Sequence, residues 1–447
     1  MKKSNLIFAF ALVLFSAVFM SCQDETQTDG GMKKKTIVDV AKTNPDLSIL
    51  VDALGRTGLD AVLSGTGSNF TVFAPTNAAF TSLLADLGAS SLNDIPNETL
   101  KKVLMYHVVN GNLTASKIST GYYSSLAEGP KKDAKLSLYV DMSSTKINNR
   151  AAIKQTDVKA DNGVIHIIDK VLLPMSITDH AIANTSFSSL VAALSKANLV
   201  SALNDSSKTF TVFAPTNDAF SKLFTDLGAT LDDLSAETLT PILLYHVVSG
   251  VVPASEVKSG YVPTLSTAFG KNVSLQVNVS GGVKLNNSVN VTATDVVATN
   301  GIIHVIDKVL LPPTVVDIAQ QNPLFSTLVL AVIKADLAGT LSKEGPFTVF
   351  APTNDAFSAL FKTLNVSGID ALSKEALTPI LLAHVVSGNV QSGDLSSGSV
   401  PTLNDSKSLD VAVSGSSVTI DGSINVVLAD VQAKNGVVHV IDKVIVP

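Results

Sequence analysis

Three copies of one sequence pattern fill most of this 447-residue chain, and this repetition constrains the fold more than any other feature. The octapeptide Phe-Thr-Val-Phe-Ala-Pro-Thr-Asn begins at Phe70 and returns at Phe210 and Phe347, with spacings of 140 and 137 residues. A later pattern, Asn-Gly-x-x-His-x-Ile-Asp-Lys-Val, also occurs three times, from Asn162, Asn300 and Asn435. Since a repeat of this length matches an ordinary domain, the chain is predicted to form three tandem domains, which excludes a short-unit solenoid.

Each copy presents the same order of predicted elements. In the first copy, apolar residues at i, i+3, i+4 and i+7 from Leu47 predict an amphipathic helix, and the β-rich run from Phe70 predicts a strand. The Pro-Thr-Asn triplet that follows offers caps for a second helix, and a third helix runs up to His107. The remainder reads as short antiparallel strands over Gly121 to Leu126, Leu136 to Val140, Ile147 to Asn148 and Val164 to Leu173. Helices followed by strands predict an α+β domain.

The joints between the copies are short. We predict domains over residues 36–175, 176–313 and 314–447, and the second joint contains Leu311-Pro312-Pro313. With so few linker residues, neighbouring domains are expected to pack end to end with limited swing, as a semi-rigid rod.

The first 21 residues read as a signal peptide. A basic start precedes the apolar run Leu6 to Met20, which suits a signal-peptide core and is shorter than the ~20 residues of a membrane-spanning helix. The run ends at Ser21 and the only cysteine, Cys22, a junction that resembles the lipidation site of bacterial lipoproteins. We therefore expect a lipid on Cys22 and a flexible tether over residues 22–35. Asp24 and Glu25, just after Cys22, resemble the acidic signal that sends lipoproteins to the outer face.

Composition excludes several classes of protein. With 46% hydrophobic and 16% charged residues the chain is not intrinsically disordered, and one cysteine rules out a disulfide framework or a Cys-based zinc site. A net charge of −6 and only two arginines argue against a nucleic-acid surface. No stretch after the signal peptide is apolar for 18 residues, so the body is not expected to be embedded in a membrane.

Several separated motifs in a fixed order resemble the fasciclin (FAS1) domain over about residues 33–447. They are an opening (Ile/Val)-x-Asp-x-Ala, the Phe-Thr-Val-Phe-Ala-Pro-Thr-Asn octapeptide, Tyr-His-Val-Val, and the closing Asn-Gly pattern. The resemblance implies a β-sandwich-like wedge with helices packed around it. It also implies an extracellular role in adhesion to cells or matrix, without enzymatic activity. Together with Cys22, it points to a three-domain bacterial fasciclin lipoprotein.

Six of the seven histidines occupy two repeated positions, namely His107, His246, His384 and His166, His304, His439. Both sets lie in apolar patterns. We therefore expect buried imidazoles held by a backbone carbonyl or by a carboxylate such as Asp218 or Asp355. In the fasciclin family a Tyr-His motif has been proposed to engage integrins; by position it corresponds to Tyr106-His107 and Tyr245-His246. The third copy has Ala383 instead of the tyrosine, and we interpret the motif mainly as structural. The integrin-type tripeptide Leu409-Asp410-Val411 is too short to be specific.

No enzyme signature is present in the sequence. A Gly-x-Ser-x-Gly elbow, a phosphate-binding glycine loop and a His-Glu-x-x-His helix are all missing, so we predict neither catalysis nor a cofactor or metal.

Two hypotheses for function follow. The first is a surface-anchored adhesion lipoprotein that binds cells, extracellular matrix or biofilm polymer. Its partners would be cell-surface or matrix proteins or polysaccharide. The second is a glycan-binding accessory lipoprotein of an outer-membrane uptake system, with Tyr122, Tyr123 and Tyr261 as exposed stacking residues. Both place the protein in the bacterial cell envelope, as an outer-membrane lipoprotein exposed at the surface, and neither involves nucleic acid.

Overall fold

The computed structural model describes residues 34–65, 67–415 and 417–447. The predicted signal peptide, Cys22 and all but the last two residues of the predicted tether lie outside this range. Within it, the chain forms three domains that each combine helices with a seven-stranded sheet. The predicted α+β class, with helices around a barrel- or sandwich-like sheet, is confirmed.

Among its described residues, the first domain has five α-helices and seven strands. The helices are α1 Ile37–Lys42, α2 Ser48–Thr57, α3 Leu59–Leu63, α4 Asn77–Leu87 and α5 Asn97–Tyr106. The strands are β1 Phe70–Pro75, β2 Val108–Asn110, β3 Gly121–Glu128, β4 Lys135–Asp141, β5 Lys146–Ile147, β6 Ala151–Ala160 and β7 Gly163–Ile168.

The second and third domains repeat these elements in the same order. The helices of the second are α6 Ile177–Ala183, α7 Ser188–Lys196, α8 Val200–Leu203, α9 Asn217–Leu227 and α10 Ala236–Tyr245. Its strands are β8 Phe210–Pro215, β9 Val247–Ser249, β10 Gly260–Ala268, β11 Lys271–Asn278, β12 Lys284–Leu285, β13 Val289–Ala298 and β14 Gly301–Ile306. The helices of the third are α11 Val315–Gln321, α12 Ser326–Lys334, α13 Ala338–Leu341, α14 Asn354–Leu364 and α15 Lys374–Ala383. Its strands are β15 Phe347–Pro352, β16 Val385–Ser387, β17 Gly398–Pro401, β18 Ser408–Ser414, β19 Ser417–Ile420, β20 Ile424–Ala433 and β21 Gly436–Ile441.

The sheet is not wholly antiparallel, which corrects the sequence prediction. In each domain the octapeptide strand pairs in parallel with the last strand, so that Phe70 lies opposite Gly163, Phe210 opposite Gly301 and Phe347 opposite Gly436. The prediction was wrong because these partners lie about 90 residues apart in sequence, and the whole set of other strands is folded between them. Strand β6 was also missed, because its residues are mostly half-exposed and show no clean alternation.

The closing Asn-Gly pair ties this parallel pair to the helices. The Asn300 side chain accepts a hydrogen bond from the Ile177 amide at 2.9 Å and donates to the Leu203 carbonyl at 2.7 Å, linking α6 and α8 to the sheet. A Cβ at the following Gly301 would overlap the Phe210 carbonyl oxygen of the neighbouring strand. The repeated Asn-Gly is therefore a packing requirement of the fold.

Neighbouring domains contact each other directly. At the first joint, strand β4 packs against strand β13 of the second domain, and the Val297 amide donates to the Ser137 hydroxyl at 3.0 Å. At the second joint, β11 packs in the same way against β20, and the Gln432 amide donates to the Ser274 hydroxyl at 3.0 Å. The two joints are thus built alike. The predicted domain boundaries after residues 175 and 313 stay predictions.

Candidate functional site

The Tyr-His motif lies inside the domain. At the end of α5, the Tyr106 hydroxyl donates to the Ser137 carbonyl at 2.7 Å. The His107 Nδ1 contacts the Val103 carbonyl at 2.7 Å, and its Nε2 accepts from the Leu172 amide at 2.8 Å. Both side chains are buried, and burial lowers the pKa of His107 to about 4, so the imidazole is neutral at pH 7. Neither side chain reaches solvent in this arrangement.

The second copy repeats this geometry with Tyr245 and His246. The Tyr245 hydroxyl donates to the Ser274 carbonyl at 2.9 Å and accepts from the Asn286 amide at 3.1 Å. His246 contacts the Ile242 carbonyl at 2.8 Å, and burial again lowers its pKa to about 4. Of the two partners expected for these histidines, the structure shows the backbone carbonyl and not an aspartate.

The third copy has an ion pair where the other two copies have the tyrosine hydroxyl. Ala383 stands at the tyrosine position, and Asp421 replaces the asparagine that binds the hydroxyl in the other copies. The Asp421 carboxylate accepts from the Asp410 amide at 2.9 Å and pairs with Lys407 at 2.9 Å. Since loss of the hydroxyl is matched by a new ion pair at the same turn, the tyrosine belongs to a structural network rather than to a shared binding surface.

The second histidine set is equally enclosed. His166 is buried, stacks on Phe73 at 5.6 Å between ring centroids, and contacts the Leu113 carbonyl through Nε2 at 2.8 Å. His304 and His439 make the corresponding contacts with backbone carbonyls at 3.0 and 2.9 Å. These imidazoles fasten the loop after the short second strand to the sheet and are not arranged as ligands or bases.

The tyrosines proposed as glycan contacts are only partly accessible, which corrects their expected exposure. The Tyr122 and Tyr261 hydroxyls accept hydrogen bonds at 3.2 and 3.1 Å from Asn184 and Asn322, which belong to the next domain. Burial raises the pKa of Tyr122 to about 12. Tyr123 is half-buried within the first domain, where its hydroxyl donates to the Ser119 carbonyl at 3.0 Å. A sugar could stack on the two joint tyrosines only if the domains separated.

A shallow groove recurs on the first and second domains. In the first it lies between α4 and the segment after β7, with Leu83 and Leu173 beside Asp86 and Lys170. In the second it is lined at the same positions by Leu223, Asp226, Lys308 and Leu311. Leu173 is 41% exposed and Leu311 is 45% exposed. Apolar surface between opposite charges, repeated at the same place, is the clearest candidate contact surface in the described residues.

The third domain differs at its surface. On α12, Leu330 and Ile333 are 54% and 57% exposed, whereas the first domain has Asp52 and Gly55 at these positions. In its sheet, the Leu409 and Val411 side chains of the integrin-type tripeptide are buried in β18, so a partner could reach only Asp410. Two of the three side chains of the tripeptide therefore belong to the core.

Among the described residues, no group of three or more His, Cys, Asp or Glu side chains could hold a metal ion. Within the same ranges, no single helix is long and apolar enough to cross a membrane. The segments Val315–Gln321 and Pro323–Lys334 pass that test only as a pair, with a bend of 104° between them.

Comparison with known proteins agrees with the repeat and the fold. The fasciclin domain model matches residues 45–174, 185–312 and 323–447. The chain belongs to the fasciclin domain family. Fasciclin domains are associated with cell adhesion and with extracellular proteins, and the family members found by comparison are not known enzymes.

Relatives occur in animals, fungi and bacteria. The chain is 32% identical over 404 residues to the transforming growth factor-beta-induced protein ig-h3 of Sus scrofa, an alignment covering 88% of this chain and 55% of the relative. A fasciclin-like arabinogalactan protein of Arthroderma benhamiae is 29% identical over 60% of this chain and 64% of its own length. The immunogenic protein MPB70 of Mycobacterium bovis is 39% identical over 29% of this chain and 65% of its length. This chain thus spans about half of the porcine relative.

A solved FAS1 domain pair from the insect cell adhesion molecule fasciclin I also aligns with the chain. It covers 59% of this chain and 94% of its own, at 23% identity and a TM-score of 0.36. Because the TM-score is low, this structural alignment adds nothing to the family assignment.

His180 was not predicted from the sequence as a residue of interest. His180, the seventh histidine, belongs to neither repeated set and lies in the opening motif of the second copy. Its side chain is fully buried at the first joint. The signal was available in the sequence, because the other two copies carry Val40 and Ile318 at this position.

Proposed function

We propose that this protein is a non-enzymatic, surface-anchored adhesion protein whose domains offer repeated weak contacts to cells, extracellular matrix or biofilm polymer. The observation that carries the proposal is the groove found at the same place on two successive domains, each with an exposed leucine beside an Asp and a Lys. Weak sites that are joined in one chain raise the overall avidity without any strong single site. The association of fasciclin domains with adhesion supports the same function.

The anchor is part of the proposal. Cys22, expected to carry the lipid, would hold the domains at the outer membrane of a bacterium, and the tether would set their distance from it. Protease shaving of intact cells tests this placement, since a surface protein is released and a periplasmic one is protected until lysis. A Cys22→Ser variant should appear in the soluble fraction. Protection of the intact protein would argue against adhesion.

The glycan-binding alternative has less support. Two of its three tyrosines are engaged by asparagines of the next domain, and the aromatic content is 5% with no tryptophan. Sugar sites depend on accessible aromatic faces. Tyrosine fluorescence measured across an oligosaccharide panel would revive this alternative if it showed saturable quenching.

Groove variants test the adhesion mechanism. Beads coated with the full chain should bind cells or matrix polymers, and Leu173→Glu combined with Leu311→Glu should weaken binding at least tenfold while thermal stability is unchanged. Leu330→Glu combined with Ile333→Glu is the matched control, because it adds the same two charges at two exposed apolar residues outside the grooves. Binding that survives the groove variant, or that is lost only with the control variant, would show that the grooves are not the contact.

A further inference from the structure

The first helix of the second domain carries a histidine where an apolar side chain is the rule. His180 replaces the Val40 of the first domain and the Ile318 of the third. Its ring meets the Tyr122 ring edge to face, with 5.6 Å between centroids. Tyr122 belongs to the first domain, so the contact crosses the first joint.

The preceding domain completes the burial of this position. His180 is 0% exposed and Ile318 is 2% exposed, and each lies in a helix that faces the domain before it. Val40, the equivalent residue of the first domain, is only half-buried. Opening the first joint would therefore expose the imidazole to water.

His180 also differs from the repeated histidines in its hydrogen bonds. Neither of its ring nitrogens makes a well-formed hydrogen bond among the described residues, although the Val297 backbone carbonyl lies close enough to favour a proton on the ring. The six other histidines each contact a backbone carbonyl within 3.0 Å. A buried polar group without a partner opposes burial, and a protonated one opposes it more strongly. In the closed joint, only Asp179 and the Val297 carbonyl favour a proton on this ring, and the cost of burying the charge outweighs both.

The charged and titratable groups around the ring come from four elements. On its own helix, Asp179 precedes it, and from the turn between β5 and β6 Arg150 approaches the Asp179 carboxylate at 3.6 Å. From β3 of the first domain comes Tyr122, and Tyr139 of β4 packs against the Tyr122 ring. Burial lowers the pKa of His180 to about 4, although Asp179 and the Val297 backbone carbonyl act in the opposite direction.

We propose that the joint between the first and second domains is acid-sensitive, so that protonation of His180 opens it, while the second joint, which has Ile318 in the same place, stays closed. This inference goes beyond the proposed function and does not depend on it. If the protein is an adhesin, acidification changes the spacing between its first groove and the rest of the chain.

The direction and size of the pH effect on joint closure follow from proton linkage. In the open joint an exposed histidine has its ordinary pKa, about 6.5, whereas in the closed joint it stays neutral down to about pH 4. Closure is therefore unaffected by protonation above pH 6.5 and weakens about tenfold per pH unit below it. Between pH 7.5 and pH 5 the closing equilibrium should weaken about 30-fold.

Two backbone amides report the joints separately. The Val297 amide donates to the Ser137 hydroxyl across the first joint, and the Gln432 amide donates to the Ser274 hydroxyl across the second, both at 3.0 Å. Hydrogen exchange of these amides can be followed by NMR in the deuterated full chain, with Cys22→Ser to keep it in solution. The Val297 protection factor, corrected for intrinsic exchange, should fall about 30-fold from pH 7.5 to pH 5, and that of Gln432 should not.

Reciprocal variants keep the test specific. His180→Ile places the residue of the second joint in the first and should abolish the fall of the Val297 protection factor. Ile318→His should make the Gln432 protection factor fall with pH instead. Measurement at pH 5 and above keeps the repeated histidines with pKa values of about 4 mostly neutral. Equal behaviour of the two amides in the natural chain, or a fall for Val297 that persists in His180→Ile, would overturn the proposal.

Discussion

Replacing Tyr245 by Phe separates a structural role of the Tyr-His motif from a role in adhesion. The Tyr245 side chain is fully buried, and its hydroxyl donates to the Ser274 carbonyl and accepts from the side-chain amide of Asn286. The variant keeps the ring and removes both hydrogen bonds, which leaves a buried acceptor and a buried donor without this partner. Each such loss costs about 1–3 kcal/mol, partly offset because the hydroxyl no longer has to be buried. We expect the free energy of unfolding of the second domain to fall by about 2 kcal/mol.

The assay must resolve one domain among three, because the chain as a whole is not a two-state system. Urea titration followed by the methyl resonance of Leu275, in the core of the second domain, reads that domain alone. Tyr123→Phe in the first domain is the matched control, and its cost is read from the methyl resonance of Leu138 in the core of that domain. Because the Tyr123 hydroxyl bonds to exposed Ser119, this variant should cost less than about 1 kcal/mol. Below the unfolding transition, cell and matrix binding of Tyr245→Phe should equal that of the natural chain. Loss of binding by a folded Tyr245→Phe protein, or equal costs of the two variants, would refute this reasoning.

Two further predictions concern the shared core of the domain. Gly301→Ala should destabilise the second domain by about 3 kcal/mol or more, because the new Cβ would overlap the Phe210 carbonyl, and a lower melting temperature of that domain checks this. His246 should contribute up to about 3 kcal/mol to a decline in the stability of the second domain as the pH falls from 6.5 to 4, since the unfolded chain takes up a proton that the buried imidazole does not. Buried His180 and His304 act in the same direction, so His246→Gln should reduce the pH dependence in urea titrations without abolishing it, and an unchanged slope would contradict this.

Much of the domain could be read from local pattern alone. The apolar spacing from Leu47, the β-rich run from Phe70 and the Thr76 cap correspond to α2, β1 and α4. Burial of the repeated histidines was predicted for the same reason, because each lies in an apolar pattern of helix or strand. Such patterns are set by side chains within a few residues of each other, and threefold repetition shows which of them the fold requires.

Tertiary structure alone decided which distant groups meet. The parallel pairing of Phe70 with Gly163, the carbonyl partners of the histidines and the contact of Tyr122 with Asn184 each join residues that no local period relates. The sequence around a tyrosine that follows a glycine in a strand does not show whether solvent or another domain covers the side chain. The same holds for His180, whose place in an opening helix motif is evident from sequence, whereas its burial against the preceding domain depends on how two folded surfaces close on each other.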